Sequence, residues 1–215
     1  AVFNHVRHLG LGLSKKKKLI VSKLEHSAII NSAEYLEEFD QFEVIHLDVK
    51  RNGQVDTEHL NKILKECGNE VALVCVMAAN NETGVIQPME EVSELCTQFK
   101  VPYFCDATQI LGKCEFDFSK INADFLCCSG HKIGALPGIG ALIIKEPQDF
   151  TPLIIGGKQE NGLRGGTQNY IGIETLGLAF DLINEKVKYS THISEKRNQF
   201  EKELTIFLQY TIIFG

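Results

Sequence analysis

Between residues 18 and 145, short runs rich in β-branched and aromatic residues take turns with segments whose apolar residues recur every three or four positions. "KLIVSK" (18–23) reads as a strand and "SAIINSAEYLEEF" (27–39) as a helix. "FEVIHLDV" (42–49) is again a strand, followed by the turn "RNGQ" and a helix, "TEHLNKILKEC", with Asp56 as its N-cap. "VALVCVMAA" (71–79) is apolar throughout, which predicts a strand covered on both faces. A helix opened by Pro88 runs to Phe99, and "VPYFCDA" (101–107), "ADFLCCS" (123–129) and "GIGALIIK" (138–145) predict three more strands. Strand, helix, strand in repetition is the pattern of an α/β domain, a mostly parallel sheet with helices on both faces. From Ile171 to Gln209 the chain turns charged and helical, leading away from the sheet. The closing "QYTIIFG" resembles the start of another strand. The division expected is therefore 1–170 for the sheet domain and 171–215 for a long helix and a connection beyond it.

Composition narrows the partners. A chain of 215 residues, 44% hydrophobic, is long enough to bury a core, and its net charge of −6 argues against nucleic acid or an anionic membrane surface. The one basic run, Lys15 to Lys18, reads as a solvated turn before a strand. No stretch reaches the roughly 18 consecutive apolar residues of a membrane span, and "AVFNHVRHLG" lacks a signal-peptide pattern. Seven cysteines without C-x-x-C spacing predict reduced, buried, cytoplasmic thiols, with neither a disulfide framework nor a metal site.

In an open α/β sheet, ligands lie beyond the carboxyl ends of the strands. The residues just past the predicted strands are His26, then Asn80, Asn81 and Glu82 of "NNETG", Asp106 and Gln109 of "DATQ", and Ser129, His131 and Lys132 of "SGHK". Singly, each has an ordinary explanation as a cap, a turn or a structural histidine. Four strand ends all carrying polar groups point to a site. A half-buried lysine at such a place can form a Schiff base with a carbonyl compound. An aspartate opposite can keep a pyridine nitrogen protonated, an imidazole can stack on the ring, and Ser or His can donate to a phosphate. Lys132, Asp106, His26, Ser129 and His131 suit those parts.

"EHSAIINS", "NNETGVIQP", "DATQILGK", "SGHKIGALPGIGALIIK" and "GGKQENGLRGGTQN" resemble, in order, successive blocks of the class V aminotransferase family, in its cysteine desulfurase (NifS/IscS-like) branch. The resemblance implies the large domain of a fold type I, pyridoxal 5'-phosphate-dependent transferase. It implies Lys132 as the Schiff-base lysine, Asp106 as partner of the ring nitrogen, and His26 stacked on the ring and moving protons. Asn81 and Gln109 would bond the phenolic oxygen, and Ser129 and His131 the phosphate. Thr167 would reach the phosphate in a neighbouring subunit, so a homodimer is implied. The reaction implied is desulfuration of L-cysteine to alanine with an enzyme persulfide, serving iron–sulfur cluster or thio-cofactor synthesis through a sulfur-acceptor scaffold protein.

Two local departures stand out. The proline after the lysine falls at Pro137, and "GGKQE" puts Lys158 where the family has glycine. The resemblance covers the middle of a family chain roughly twice as long. An N-terminal phosphate-cradling turn, a persulfide cysteine and a substrate-clamping arginine have no counterpart in it, and Cys127 and Cys128 read as structural thiols. Weak or no activity alone is expected, with a complementing polypeptide restoring it. The alternatives are a non-catalytic remnant or interaction module, and a selenocysteine lyase or class V transaminase. A nucleotide-binding module is disfavoured because the glycines of "GIGA" precede a strand rather than follow one.

Overall fold

The computed structural model describes residues 1–11 and 16–208, with Thr191 as backbone alone; Lys15 and the strand expected in "QYTIIFG" lie outside the described residues. Chain order is α1 (Val2–Leu11), β1 (Lys18–Ser22), α2 (Ser27–Asp40), β2 (Glu43–Leu47), α3 (Thr57–Cys67), β3 (Val71–Cys75), α4 (Met89–Phe99), β4 (Tyr103–Asp106), β5 (Phe125–Ser129), β6 (Gly140–Ile144), α5 (Tyr170–Asp181) and α6 (Ile183–Phe207). The strands form one sheet in the order β2-β1-β3-β4-β5-β6. Every pairing is parallel except the last, where β6 runs antiparallel to β5.

Alternation along each strand builds two cores. Leu19 and Val21 of β1 point to one face and pack with Val2 and Val6 of α1 and Ile29, Ala33 and Leu36 of α2. Ile20 points to the other and meets Leu60, Ile63 and Leu64 of α3 and Val92 and Cys96 of α4. Each fully buried Val, Leu or Ile among them contributes about 1.5–3 kcal/mol. Asp56 caps α3 as expected, accepting from the Glu58 and His59 N–H groups. Lys17 donates to the Asp40 carbonyl and Lys18 pairs with Glu43 and Glu70, so this part of the basic run is tied to neighbouring segments.

The element that sequence patterning missed is α1. "AVFNHVRHLG" carries Val2 and Val6 four residues apart, and both are buried against the sheet. The 71–79 run splits: only Val71–Cys75 forms β3, while Val76 and Ala78 stay buried and donate to the carbonyls of Phe104 and Asp106. The described part of the 171–209 stretch holds two helices, α5 and α6, meeting at Leu182, and Leu176 and Ala179 of α5 return to pack on Ile133 and Ala135 just after β5.

Chain direction reverses at the centre of the sheet. From β1 the chain proceeds outward to β2, and from β3 in the opposite direction to β4. The carboxyl ends of β1 and β3 thus flank a topological switch point, the usual place for a ligand in a doubly wound sheet.

Candidate functional site

The turn after β5 carries Lys132. Gly130–Lys132 forms one turn of 3-10 helix, folded back so that the Gly130 N–H donates to the Ile139 carbonyl at 2.8 Å and the Gly130 carbonyl accepts from Ile133 and Ala135. A Cβ at Gly130 would lie 2.8 Å from Ile139 Cγ2 and 3.0 Å from the Ile139 carbonyl oxygen, so only glycine allows the closure. Gly134, at φ +95°, turns the chain onward. Beneath the turn, Ile133 is buried with Leu176 and Ala179, and the Lys186 ammonium donates to the Ile133 carbonyl. This packing anchors the turn and leaves Lys132 exposed. The expectation of a half-buried ammonium is corrected on that point. Ile133, not the lysine, takes the inward position at the end of the strand.

Ser129 and His131 flank the same turn, and the Ser129 hydroxyl lies 2.9 Å from His131 Nδ1. Asp106 ends β4, half-buried, in register with Cys127 of β5. One of its carboxylate oxygens accepts from the Thr108 N–H at 2.9 Å. Gln109 follows on the next turn and accepts from the Lys113 ammonium. Burial, and then the positive charge of Lys132, pull the Lys113 pKa down, which puts a second amine in the neighbourhood of the first. Lys113 was legible only as the last letter of "DATQILGK".

At the end of β1, His26 is both the N-cap of α2 and an exposed imidazole. Its Nδ1 accepts from the Ala28 N–H at 3.1 Å, so in this arrangement the ring proton is on Nε2. Asn80 and Asn81 divide sharply. Asn80 is buried, donates to the Leu24 carbonyl and gathers the Glu82 and Thr83 N–H groups, which makes it the organiser of the "NNETG" turn. Asn81 is exposed and bonds Glu82. The residue before His26, Glu25, is only 6% exposed and accepts from the Met77 N–H at 2.6 Å. Spacing offered no sign of it beyond a carboxyl at a strand end.

Thr167 stands apart on the 156–167 loop. It is exposed, its carbonyl accepts from Arg164, and no bond among the described residues joins it to the strand ends. Nearby, the backbones of Gly156 and Gly165 approach so closely that a Cβ on Gly165 would fall 2.8 Å from the Gly156 nitrogen. All seven cysteines are free; Cys75, Cys96, Cys105 and Cys128 are buried, and Cys67, Cys114 and Cys127 are part-exposed rather than buried as expected. Burial first, and then the Asp106 charge, hold the Cys127 thiol well above the ordinary thiol range, so it is no ready thiolate. A groove of about 750 Å³ between α1 and α2, reached by Ser27 and Ala28, contains none of the other strand-end residues. Among the described residues no cluster suits a metal ion, and no helix is long and apolar enough to cross a membrane.

The donor set at the carboxyl edge therefore includes the half-buried Asp106 side chain, two amines, an imidazole with a free edge, the two amides of Asn81 and Gln109, and a hydroxyl–imidazole pair. A family model described as aminotransferase class-V matches residues 1–212. The chain is 35% identical over 210 residues to a cysteine desulfurase of Klebsiella pneumoniae, covering 97% of this chain and 52% of that protein. It is 36% identical over 201 residues to the cysteine desulfurase IscS of Dictyoglomus turgidum, covering 93% and 50%. A solved NifS-like protein superposes with a TM-score of 0.87 at 30% identity, covering 100% of this chain and 60% of the other. The chain spans about half the length of the curated relatives it matches.

Proposed function

The chain belongs to the class V aminotransferase family, and from that premise we propose that it is the lysine-bearing part of a pyridoxal 5'-phosphate-dependent cysteine desulfurase. The observation that carries the reading is the agreement between chemistry and position. The carboxyl ends of β1, β4 and β5 bring an imidazole, a carboxylate and an ammonium to one edge of the sheet. Their types suit the ring face, the ring nitrogen and the aldehyde of that cofactor.

Pyridoxal phosphate, when bound, supplies an aldehyde that condenses with amines and a ring that withdraws electrons from the bond being broken. The protein's share is positioning and proton handling. Lys132 offers the amine from a turn anchored by Ile133, and the exposed side chain has room to exchange partners. Asp106, held by the Thr108 N–H, presents its carboxylate to a ring nitrogen and keeps a proton there. His26 presents the Nε2 edge and moves a proton on and off the substrate, its other nitrogen being tied to α2. Ser129 and His131 orient each other to donate to a phosphate. Gln109 and Asn81 are assigned to the phenolic oxygen. Thr167, which has no hydrogen bond to this set among the described residues, is assigned to a phosphate in a second copy, which makes the working unit a homodimer. L-cysteine is the substrate proposed, and a sulfur-acceptor protein the partner. Seven free thiols suit a reducing, cytoplasmic setting.

The test is a titration of the full chain with pyridoxal phosphate, followed by near-ultraviolet and visible absorbance and compared with Lys132→Ala. A band present in the first and absent from the second supports the reading, and alanine release from L-cysteine, alone or with a complementing polypeptide, would extend it to the reaction. Identical spectra for the two proteins would refute it.

A further inference from the structure

Glu25 is a buried carboxyl that the proposed chemistry leaves unused, and it lies where the sheet reverses direction. It follows β1 by three residues, immediately before His26. Instead of turning to solvent it crosses to the chain beyond β3, where its Oε1 accepts from the Met77 N–H at 2.6 Å. The Asn80 side chain braces the same crossing by donating to the Leu24 carbonyl at 2.9 Å. One residue past Met77, the Ala78 N–H donates to the Asp106 carbonyl at 2.9 Å. A continuous path of hydrogen bonds and covalent backbone thus runs from His26 through Glu25 and Met77–Ala78 to Asp106.

The surroundings of Glu25 are short of positive charge. It forms no ion pair among the described residues. The titratable groups coupled to it are Cys75 on β3 and Tyr103, Cys105 and Asp106 on β4; burial drives the thiols and the phenol toward their neutral forms, and Asp106 is a second acid. A second anion has nothing to balance it there. Burial is accordingly the main force pushing the Glu25 pKa up to about 8, against the pull of the Met77 N–H and with a further push from Asp106.

We propose that Glu25 is a positioning residue for the cofactor-ring site, a buried carboxyl whose bond to the Met77 N–H ties the His26 end of β1 to the Asp106 end of β4 across the switch point. Its Oε1 holds Met77–Ala78, and through the Ala78 N–H the Asp106 carbonyl, in place. This deepens the proposed function and rests on it for the identity of the ring. The arrangement of the carboxyls themselves can be tested without any cofactor.

The experiment compares the full chain with Glu25→Gln, which keeps a neutral acceptor of the same shape, and Glu25→Leu, which removes it. Without cofactor, the wild type has an infrared carbonyl band of a protonated acid at neutral pH that Glu25→Gln lacks. The Met77 and Ala78 amides exchange with solvent as slowly in Glu25→Gln as in the wild type. In Glu25→Leu they exchange at least ~10-fold faster, the Asp106 carboxyl resonance shifts, and amides of α3 stay protected. If Glu25→Leu is too unstable to purify, Glu25→Gln decides through the infrared band and the pH dependence of stability. Absence of the protonated-acid band, or unchanged Met77, Ala78 and Asp106 signals in Glu25→Leu, overturns the proposal. With pyridoxal phosphate added, Glu25→Gln retains the lysine-dependent band and Glu25→Leu weakens binding by ~10-fold or more. A wild type without such a band counts against the cofactor reading, whereas the cofactor-free arms still decide the positioning role.

Discussion

The Ser129 hydroxyl and the His131 imidazole sit 2.9 Å apart, oxygen to Nδ1, across the turn that presents Lys132. Each orients the other toward the same edge of the sheet. Ser129→Ala removes a phosphate donor and leaves His131 free to rotate. A hydrogen bond to a charged acceptor contributes about 1.5–3 kcal/mol, so the variant should bind pyridoxal phosphate roughly 10- to 100-fold more weakly. Absorbance titration measures this, and unchanged affinity would remove the pair from the phosphate site.

Lys132→Ala should leave stability within about 0.5 kcal/mol of the wild type, because the side chain is exposed and the turn is held by Gly130 and Ile133. Only the cofactor band should be lost. Urea unfolding midpoints provide the check, and a large destabilisation would mean that the amine has a structural partner.

Gly130→Ala tests the turn itself. Its new methyl group would overlap Ile139 on both side chain and backbone, at 2.8 and 3.0 Å. Overpacking of this kind costs about 1–3 kcal/mol and should disturb the approach of β6 to β5. Lower stability together with a displaced cofactor band is the expected pair of results.

The raised pKa of Glu25 has a definite sign. The folded chain keeps a proton up to about pH 8 that the unfolded chain releases near the ordinary glutamate value of 4.5. The associated stability is full below about pH 4.5 and is lost as pH rises through 8. Melting temperatures should therefore fall across this window in the wild type and much less in Glu25→Gln, once the slopes from other groups, common to both, are subtracted.

Cysteine reactivity should follow burial. Burial pushes the Cys96 and Cys105 thiols up to about 12, and Cys75 is held high by the same cause. Alkylation of the native chain at pH 7.5, read by mass spectrometry, should leave these three unmodified and label the part-exposed Cys114. Rapid labelling of Cys105 in the native state would contradict the burial described for β4.

Much of the architecture was legible because its causes are local. The short β-branched run in "KLIVS" and the continuous apolar run 71–79 announce strands, and Asp56 announces the start of α3. Helix α1 was not legible, because ten residues containing Val2 and Val6 are read as a buried face only once a sheet surface lies beneath them. The site divides the same way. Asp106, Ser129, His131 and Lys132 stand at strand ends that periodicity locates, whereas Glu25 gains its part only from Met77, 52 positions along the chain.

The residue pattern by itself determined that strands and helices alternate, which strand ends carry polar groups, and that the blocks resemble those of a pyridoxal enzyme. Period and residue type are properties of short segments and survive without a fold. Tertiary structure decided the strand order, the switch point between β1 and β3, the exposure of Lys132 above a buried Ile133, and the closure of Glu25 onto the Met77–Ala78 backbone. Those depend on which segments become neighbours, and that is settled only when distant apolar faces are buried together.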